Sequence, residues 1–459
     1  MPKKVALLCL TTYLHIGCIN ESINNIKMYS EHKVDIIYIN KVIDDRIHKY
    51  LKKIEDKKRQ EQPPPFSNFM VEMNYKTTLS QTLYNIKMGR FFIQSLISNL
   101  VKIHTGEIQK KDIKHNIIFQ TLNKIKKRQF PITNNEHIDD IITNIFNIYR
   151  LTFIELFEKY QGIIFHYDLI DSSYLFLNRD ILKNYTGVKI CMMQDEYIHD
   201  MEFIKNNNFD FFYHVSNTNL ICKYNKNLLE GIKLRQILTG YVPNINVQKI
   251  HMKNKTTNIF YRGRIKMMTY FYGGLVNDKI NIGIKMRQYA IDNKITNVDI
   301  ELEDKYRIYG QEWYNRLRNS KTTLASQSGC DVFHVSKQDV DRYQRNNPSF
   351  TYEQVKDHFN LEKEYKNNYG VVSPKMFEAI KCNCVLIMFP GNYNDILKAN
   401  IHYIELQKDF SNIEDVIKKV NDNEFLQKMA DRAYTDIVES GKYSFQYFIK
   451  NVLDNDLSS

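Results

Sequence analysis

The chain has 459 residues, of which 43% are hydrophobic and 25% charged, and a formal net charge of +12. This length exceeds what one hydrophobic core normally supports, and the composition excludes a disordered or collagen-like chain, so we expect a globular protein of at least two domains. No run approaches the roughly 20 apolar residues that a membrane-spanning helix needs. The positive charge suits nucleic acid, phosphorylated small molecules or an anionic membrane surface, and it does not choose among them.

The first half of the chain predicts strands alternating with helices on either side of a mainly helical stretch. Residues 5–10 resemble the apolar part of a signal peptide, but polar residues follow at 11–15 without a small-residue cleavage site, which favours a buried first strand. A helical insertion is predicted over about 41–150, with helical periodicity at 81–104 and 138–160. A helix is predicted at 19–29. Short apolar runs predict further strands at 34–39, 162–167, 188–193 and 211–215.

The second half again alternates strands and helices, and residues 241–244 are the predicted connection between the halves. The strands are expected at 257–262, 297–302, 321–325 and 384–389, with helices at 281–293, 313–318 and 434–453. This pattern predicts an α/β protein with two doubly wound parallel sheets. The predicted domains are 1–243, which carries the insertion, and 244–433, followed by a closing helix at 434–459.

The stretch SPKMFEAI at 373–380 predicts a helix with Ser373 as its N-cap and Pro374 at the first helical position. The free amides of a helix N-terminus suit an anionic ligand, and Lys375 adds positive charge. Glu378 lies just over one turn into the helix, where its carboxylate is able to accept hydrogen bonds from hydroxyls. The combination fits a nucleoside diphosphate, although a capped helix before a buried strand is also a common structural feature.

Other polar clusters follow predicted strands, where open α/β sheets bind their ligands. One is a basic cluster that either binds a diphosphate or is a solvated loop: Arg262, Gly263, Arg264 and Lys266. The other is a cluster of small polar residues that forms either a ligand-binding loop or an ordinary turn: Gln327, Ser328 and Gly329. A third set in the first domain contains candidates for orienting an acceptor hydroxyl, although a histidine at a strand end is often structural. This set is His166, Asp168, Asp195 and Glu196, with His15 in the turn at 11–17.

Motifs of other chemistries are absent from the sequence. It has no phosphate loop of the GxxxxGK[ST] type, no HExxH, no GxSxG and no GxGxxG at a strand–helix junction. Seven cysteines are scattered, and Cys382 and Cys384 are separated by one residue rather than the two typical of zinc sites. We therefore expect reduced thiols in a cytoplasmic protein. Paired-cysteine fingers and aromatic RNP stretches are also missing, so nucleic acid is not an expected partner.

Segments of the second half, taken in order, resemble glycosyltransferases of the GT-B fold, close to the retaining family-four type that builds bacterial surface glycans. They are YRGR at 261–264, RIYG at 307–310 followed by Trp313 and Tyr314, residues 320–329, SPKMFEAI at 373–380 and HYIELQKDFSN at 402–412. The first half is similar only in its general α/β pattern and in QDEY at 194–197.

The resemblance implies two Rossmann-like domains that face a central cleft, with a nucleotide-sugar donor on the second and an acceptor on the first. Glu378 would hold the donor ribose, and the basic residues Arg262, Arg264 and Lys266 would face the diphosphate together with Ser373. Arg264, Lys266 and His166 are the predicted catalytic residues. The resemblance implies no metal and no cofactor besides the donor, because stabilisation of the departing phosphate carries most of the catalysis.

Two departures from the family pattern concern carboxylates. The family's second glutamate would fall at position 370, where this chain has Gly370, and the Ser-Gly loop carries Gln327 where related sequences tend to have glutamate. Lys375 also stands where arginine is sometimes found, which keeps the charge but loses bidentate geometry.

The leading hypothesis is a hexosyl or related transferase of polysaccharide biosynthesis that uses a glycan or lipid-linked acceptor. The alternative is a catalytically inactive relative that binds a nucleotide sugar or a glycan, and the missing carboxylates motivate it. Basic residues within 100–130 leave open a peripheral contact with the inner membrane face, beside the simpler interpretation of a solvated surface.

Overall fold

The computed structural model describes residues 2–9, 17–60, 136–166, 179–194, 201, 204–264, 273–335 and 337–459. Within them, the first sheet has six strands in the order β2-β1-β3-β4-β5-β6. The strands are β1 (Lys4–Cys9), β2 (Lys33–Tyr38), β3 (Gly162–Phe165), β4 (Val188–Met192), β5 (Phe211–His214) and β6 (Lys233–Gln236). β4, β5 and β6 pair in parallel, with Phe211 beside Lys233 and His214 beside Gln236.

The second sheet has five strands in the order β11-β10-β9-β7-β8, and every neighbouring pair is parallel. Its strands are β7 (Thr257–Arg262), β8 (Val298–Glu301), β9 (Ser320–Ala325), β10 (Val385–Met388) and β11 (Tyr403–Glu405). The predicted class, α/β with two doubly wound parallel sheets, is therefore confirmed.

Helices connect the strands in both sheets. In the first part of the described chain they are Gly17–Tyr29, Ile39–Gln60, Glu136–Lys159, Arg179–Asn184 and Thr218–Leu229. In the second part they are Gly274–Asp292, Gly310–Asn319, Lys337–Asn346, Tyr352–Phe359, Pro374–Lys381, Ile413–Asn421, Asn423–Ala433, Phe445–Phe448 and Asp454–Ser458. The stretches Tyr434–Glu439 and Ile449–Leu453 are π-helical.

The β10 strand shows why an uninterrupted apolar run indicated a buried strand. Side chains alternate between the two faces of a sheet, and both faces here carry an apolar core. Leu386 and Met388 pack into one core with Phe377, while Val385 and Ile387 pack into the other with Ile259. All four strand residues are buried.

Most predicted elements are found within a few residues of their expected bounds. The 257–262 strand matches β7 at both ends, and the 138–160 periodicity corresponds to Glu136–Lys159. The predicted helix at 281–293 begins earlier, at Gly274. The 434–453 segment was expected to be helical, and its helical turns are interrupted at 440–444. The periodic stretch at 81–104 and the rest of the insertion between residues 61 and 135 lie outside the described residues.

The chain divides into two compact units. One contains Met1–Val5, Thr12–Asp35 and Val188–Ser459, and the other contains Ala6–Thr11 and Ile36–Gly187. The domain boundaries expected at 243 and 433 remain predictions.

In the larger unit the closing segment is bound by polar contacts. The Asp454 carboxylate accepts from the Ser30 hydroxyl and the Glu31 amide, and the Asp456 carboxylate accepts from Arg235 and Tyr213. In the part of the chain that the structure describes, no helix is long and apolar enough to cross a bilayer.

Candidate functional site

The candidate site lies at the carboxyl ends of β7, β9 and β10. These three strands are consecutive in the parallel sheet, so the loops that follow them emerge at one edge. Arg262, Gly263 and Arg264 end or follow β7, the segment 326–329 follows β9, and Gly391 follows β10 shortly after its end. The sequence placed ligand residues after strands, and the strand order brings these groups to the same edge.

The helix Pro374–Lys381 begins beside this edge, with Ser373 at the N-cap and Pro374 at the first position as predicted. The Ser373 hydroxyl makes no capping hydrogen bond. The chain before the helix is fixed because Val371 and Ser328 exchange two backbone hydrogen bonds of 2.8 and 2.9 Å. The Val372 carbonyl also accepts from the Thr239 hydroxyl at 2.6 Å. The helix N-terminus is thereby held in register with the loop after β9.

Glu378 is tied to the chain's one tryptophan. The Trp313 indole N–H donates to Oε2 of Glu378 at 2.7 Å, whereas Oε1 makes no hydrogen bond to any described residue. Burial raises the pKa of the Glu378 carboxyl, and the Trp313 hydrogen bond and the nearby charge of Lys375 act in the opposite direction. One carboxylate oxygen is therefore held by the protein and the other is available to a ligand.

Lys375 completes this cluster. Its ammonium donates to the Arg262 carbonyl at 3.1 Å and lies 5.4 Å from the centre of the Trp313 ring, a cation–π distance. The Phe260 ring is 5.5 Å from the indole, and the positive charge of Arg307 also acts on Lys375. The first turn of the helix thus combines an N-terminus, an ammonium, a carboxylate and an aromatic ring, a set that suits an anionic ligand with hydroxyl groups.

The basic cluster after β7 is partly engaged in the protein itself. The Arg262 guanidinium is bound to the Asp299 carboxylate at 2.7 Å and is 12% exposed. Arg264 pairs with Asp304 at 3.0 Å, and both side chains are about half exposed. Packing requires a glycine at position 263, because a Cβ there would lie 2.4 Å from the Leu302 side chain. The diphosphate roles of these residues remain predictions, and for Arg262 such a role requires release from Asp299.

The loop after β9 is built around buried Gln327. Its side-chain amide nitrogen donates to the Gly370 carbonyl at 3.1 Å. The Ser328 hydroxyl accepts from the Lys279 ammonium at 2.8 Å. Gly329 has φ +92°, a left-handed conformation that favours glycine, next to Val371. Gln327, Ser328 and Gly329 therefore adjoin the segment that leads into the Ser373 helix.

Two residues that contact the predicted site residues, and a third residue two positions after Gly329, were not proposed as ligand residues from the sequence. Trp313 and Lys279 lie on helices, and no spacing rule connects them to Glu378 or Ser328. The third is Asp331, whose Oδ2 accepts from the Gly274 amide at 3.2 Å and whose Oδ1 has no partner among the described residues. Burial raises the pKa of Asp331 to about 8, and the carboxylates of Glu362 and Asp278 raise it further. The unique tryptophan was the one compositional signal available.

The predicted acceptor side is described only in part. His166, in the other compact unit, directly follows β3, is buried, and its backbone amide donates to the Leu8 carbonyl at 3.1 Å. His15, Asp168, Asp195, Glu196 and Lys266 lie outside the described residues. Across the described ranges, no group of three or more His, Cys, Asp or Glu side chains is arranged to hold a metal ion.

No protein-family model matches the chain, and no curated protein matches it. Among solved structures, TarM is similar with 14% identity and a TM-score of 0.38 over 69% of this chain and 58% of TarM. The N-terminal domain of Candida albicans trehalose-6-phosphate phosphatase is similar with 10% identity and a TM-score of 0.45, over 100% of this chain and 97% of that one. HepE from Anabaena, solved with UDP and glucose, has 8% identity and a TM-score of 0.36 over the whole of both chains. Likeness at these scores assigns neither a family nor an activity.

Proposed function

We propose that this protein is a GT-B glycosyltransferase that moves a sugar from a nucleotide-sugar donor to a glycan or lipid-linked acceptor. The observation that carries the proposal is the cluster of Lys375, Glu378 and Trp313 on the first turns of a helix that starts at the carboxyl edge of a parallel sheet. The ordered resemblance of the sequence motifs supports it independently.

In this proposal the donor diphosphate binds at the N-terminus of the helix Pro374–Lys381. Backbone amides there carry the positive end of the helix dipole, and the Lys375 ammonium adds a full charge. Arg264 is half exposed and becomes available if its surface pair with Asp304 opens, since such pairs contribute little. Oε1 of Glu378 accepts from a ribose hydroxyl while Trp313 holds Oε2.

These contacts stabilise the charge that develops during transfer. The bond between the anomeric carbon and the phosphate oxygen breaks, and the acceptor oxygen bonds to the anomeric carbon as its proton passes to the departing phosphate. The helix N-terminus and Lys375 stabilise that phosphate. We propose that the transfer proceeds with retention and without a metal, and that His15, His166, Asp168, Asp195 and Glu196 serve the acceptor side.

We also place the reaction in cytoplasmic polysaccharide biosynthesis, with any membrane association peripheral. The support is the likeness of the motifs to enzymes that build bacterial surface glycans.

Calorimetric titration of the purified protein with UDP-, GDP-, CDP- and dTDP-sugars tests the proposal. We expect one base class to bind, and Glu378→Gln to weaken that binding about tenfold, because a hydrogen bond to a charged group contributes about 1.5–3 kcal/mol. Glu424→Gln, an exposed residue of another helix, is the matched control. Absence of binding to all four classes contradicts the proposal.

Release of nucleoside diphosphate in the presence of an acceptor library then tests turnover. Turnover that is lost in Glu378→Gln supports an enzyme. Donor binding without release across the library supports the inactive alternative instead.

A further inference from the structure

Gln327 fills a space that two glycines leave open. Its side chain is 3% exposed. A Cβ added at Gly370 would lie 2.5 Å from Cβ of Gln327, and one added at Gly391 would lie 2.5 Å from its Cδ. Real Cβ atoms do not approach other atoms so closely, so a side chain at position 370 and the present Gln327 side chain exclude each other.

The two departures from the family pattern are therefore one structural feature. The sequence shows a missing carboxylate at Gly370 and a glutamine in place of glutamate at position 327. In the structure the Gln327 side chain occupies the place of the Cβ that any other residue at 370 would carry. Any side chain at 370 is thus excluded by Gln327, whose carboxamide, coming from the neighbouring strand end, lies beside the point where such a side chain would begin.

Only the nitrogen of the Gln327 side-chain amide is hydrogen-bonded to the described part of the protein. Nε2 donates to the Gly370 carbonyl at 3.1 Å, which fixes the orientation of the side chain. Oε1 accepts no hydrogen bond from any described residue. An oriented acceptor without a protein donor at the ligand edge of a sheet is suited to a hydroxyl of a bound molecule.

We propose that Gln327 determines donor-sugar specificity by accepting a sugar hydroxyl through its uncharged Oε1, in place of the family's carboxylate at 370. This inference rests on the proposed function. Because an amide carries no charge, the sugar site admits sugars with a carboxylate as well as neutral ones, whereas a glutamate there repels the acidic sugars.

The charge at position 327 is tested with Gln327→Glu, which has nearly the same shape. Affinities are measured by calorimetry for UDP, UDP-glucose and UDP-glucuronic acid, and for the GDP-mannose and GDP-mannuronic acid pair if the protein prefers guanine. We expect the substitution to lower the affinity for the acidic sugar nucleotide about tenfold relative to the neutral one, since two like charges a few ångströms apart repel. Affinity for the nucleoside diphosphate is measured in both proteins, so that any general effect of the added charge on the diphosphate cancels in the ratio of acidic to neutral donor.

An unchanged ratio of acidic to neutral donor affinity in Gln327→Glu overturns the inference. Failure of every nucleotide and nucleotide sugar to bind the unaltered protein refutes the proposed function instead, so the two failures are distinguishable. Gln446→Glu, at an exposed position of the helix Phe445–Phe448, is the control for added charge.

The exclusion of volume is tested independently of any ligand. Gly370→Ala is expected to lower the thermal midpoint, and Gln327→Gly in the same chain is expected to restore part of that loss, because it removes the Cβ, Cδ and Nε2 atoms that the added Cβ would meet. Additive losses in the double variant would show that the two positions do not compete for one volume, and this outcome also overturns the inference.

Discussion

The indole N–H of Trp313 donates to Oε2 of Glu378 at 2.7 Å, although the two residues are 65 positions apart in the chain. The indole lies 5.5 Å from the Phe260 ring and 5.4 Å from the Lys375 ammonium. The carboxylate is therefore oriented by a side chain that is itself held by two neighbours. This arrangement leaves one oxygen for a ligand and makes Trp313 a positioning residue in the proposed donor site.

Replacing Trp313 with phenylalanine tests this relationship. The aromatic packing is largely kept, but Oε2 of Glu378 loses its donor and the carboxylate is free to rotate. We expect affinity for the preferred nucleoside diphosphate to fall about tenfold. We also expect the preference for a ribose over a 2′-deoxyribose nucleotide to shrink, which a purely structural role of Trp313 would not produce. Tyr447→Phe, at an exposed aromatic residue, is the control.

Asp331 predicts a dependence of stability on pH. Its pKa is about 8 in the folded protein against an ordinary value of 3.8. Between about pH 4 and pH 8 the folded state keeps a proton that the unfolded state releases, so the free energy of unfolding falls as pH rises through this window. Asp331→Asn keeps an acceptor for the Gly274 amide and removes the titration. We expect the variant to be more stable than the parent at pH 9 and to differ less at pH 5.

Thermal unfolding at pH 5, 7 and 9 measures this effect. Asp292→Asn, on an exposed residue at the end of the helix Gly274–Asp292, should retain the pH dependence of the parent. If Asp331→Asn shows the same decline in stability as the parent, Asp331 is not the group responsible.

Lys255 is a buried ammonium held by three backbone carbonyls. Its Nζ donates to Ser320 at 3.0 Å, to Asn383 at 2.5 Å and to Cys382 at 3.4 Å, and burial lowers its pKa. Lys255→Met leaves these carbonyls without their donor. We expect the free energy of unfolding to drop by about 3 kcal/mol, the cost of leaving several buried acceptors unpaired.

Chemical denaturation measures this loss. The exposed Lys253→Met is the matched control and should change stability by less than about 0.5 kcal/mol. Equal stabilities of the two variants would show that the Lys255 contacts make no net contribution.

Asp456 binds the closing segment of the chain to β5 and β6 of the first sheet. Its carboxylate accepts two hydrogen bonds from Arg235, at 2.8 and 2.9 Å, and one from the Tyr213 hydroxyl at 2.7 Å. Asp456→Ala leaves a buried phenol and a guanidinium without their acceptor, and we expect a loss of about 3 kcal/mol. Hydrogen exchange should accelerate over 445–458, whereas Asp415→Asn, which breaks an exposed pair with Lys419, should leave that exchange unchanged.

Some strands were predictable from the sequence and others were not. β10 is an uninterrupted apolar run, and β7 contains a shorter one at 259–261, because both faces of the second sheet are covered and burial on two faces produces that pattern. β6, with the residues KLRQ, lies at the edge of the first sheet and was not predicted. It is partly exposed and hydrophilic, so only its parallel pairing with β5 makes it a strand.

The site shows the same division. Ser373, Pro374, Lys375 and Glu378 were identifiable because helix capping and helical spacing act over a few neighbouring residues. The partner of Glu378 was not identifiable, because the position of the indole depends on how two helices pack on one sheet. Gly370 and Gln327 appeared in the sequence as two unrelated losses of charge, and their shared volume is a property of the folded loops.

The sequence by itself determined the α/β class, the bounds of most core strands and the polar helix start at Ser373, since all three depend on local spacing and on the burial of apolar side chains. Only the tertiary structure decided which oxygen of Glu378 is available, which carboxylate engages Arg262 and what fills the place beside Gly370. These depend on contacts between residues far apart in the chain, and hydrogen-bond geometry and excluded volume act only once such residues have been brought together.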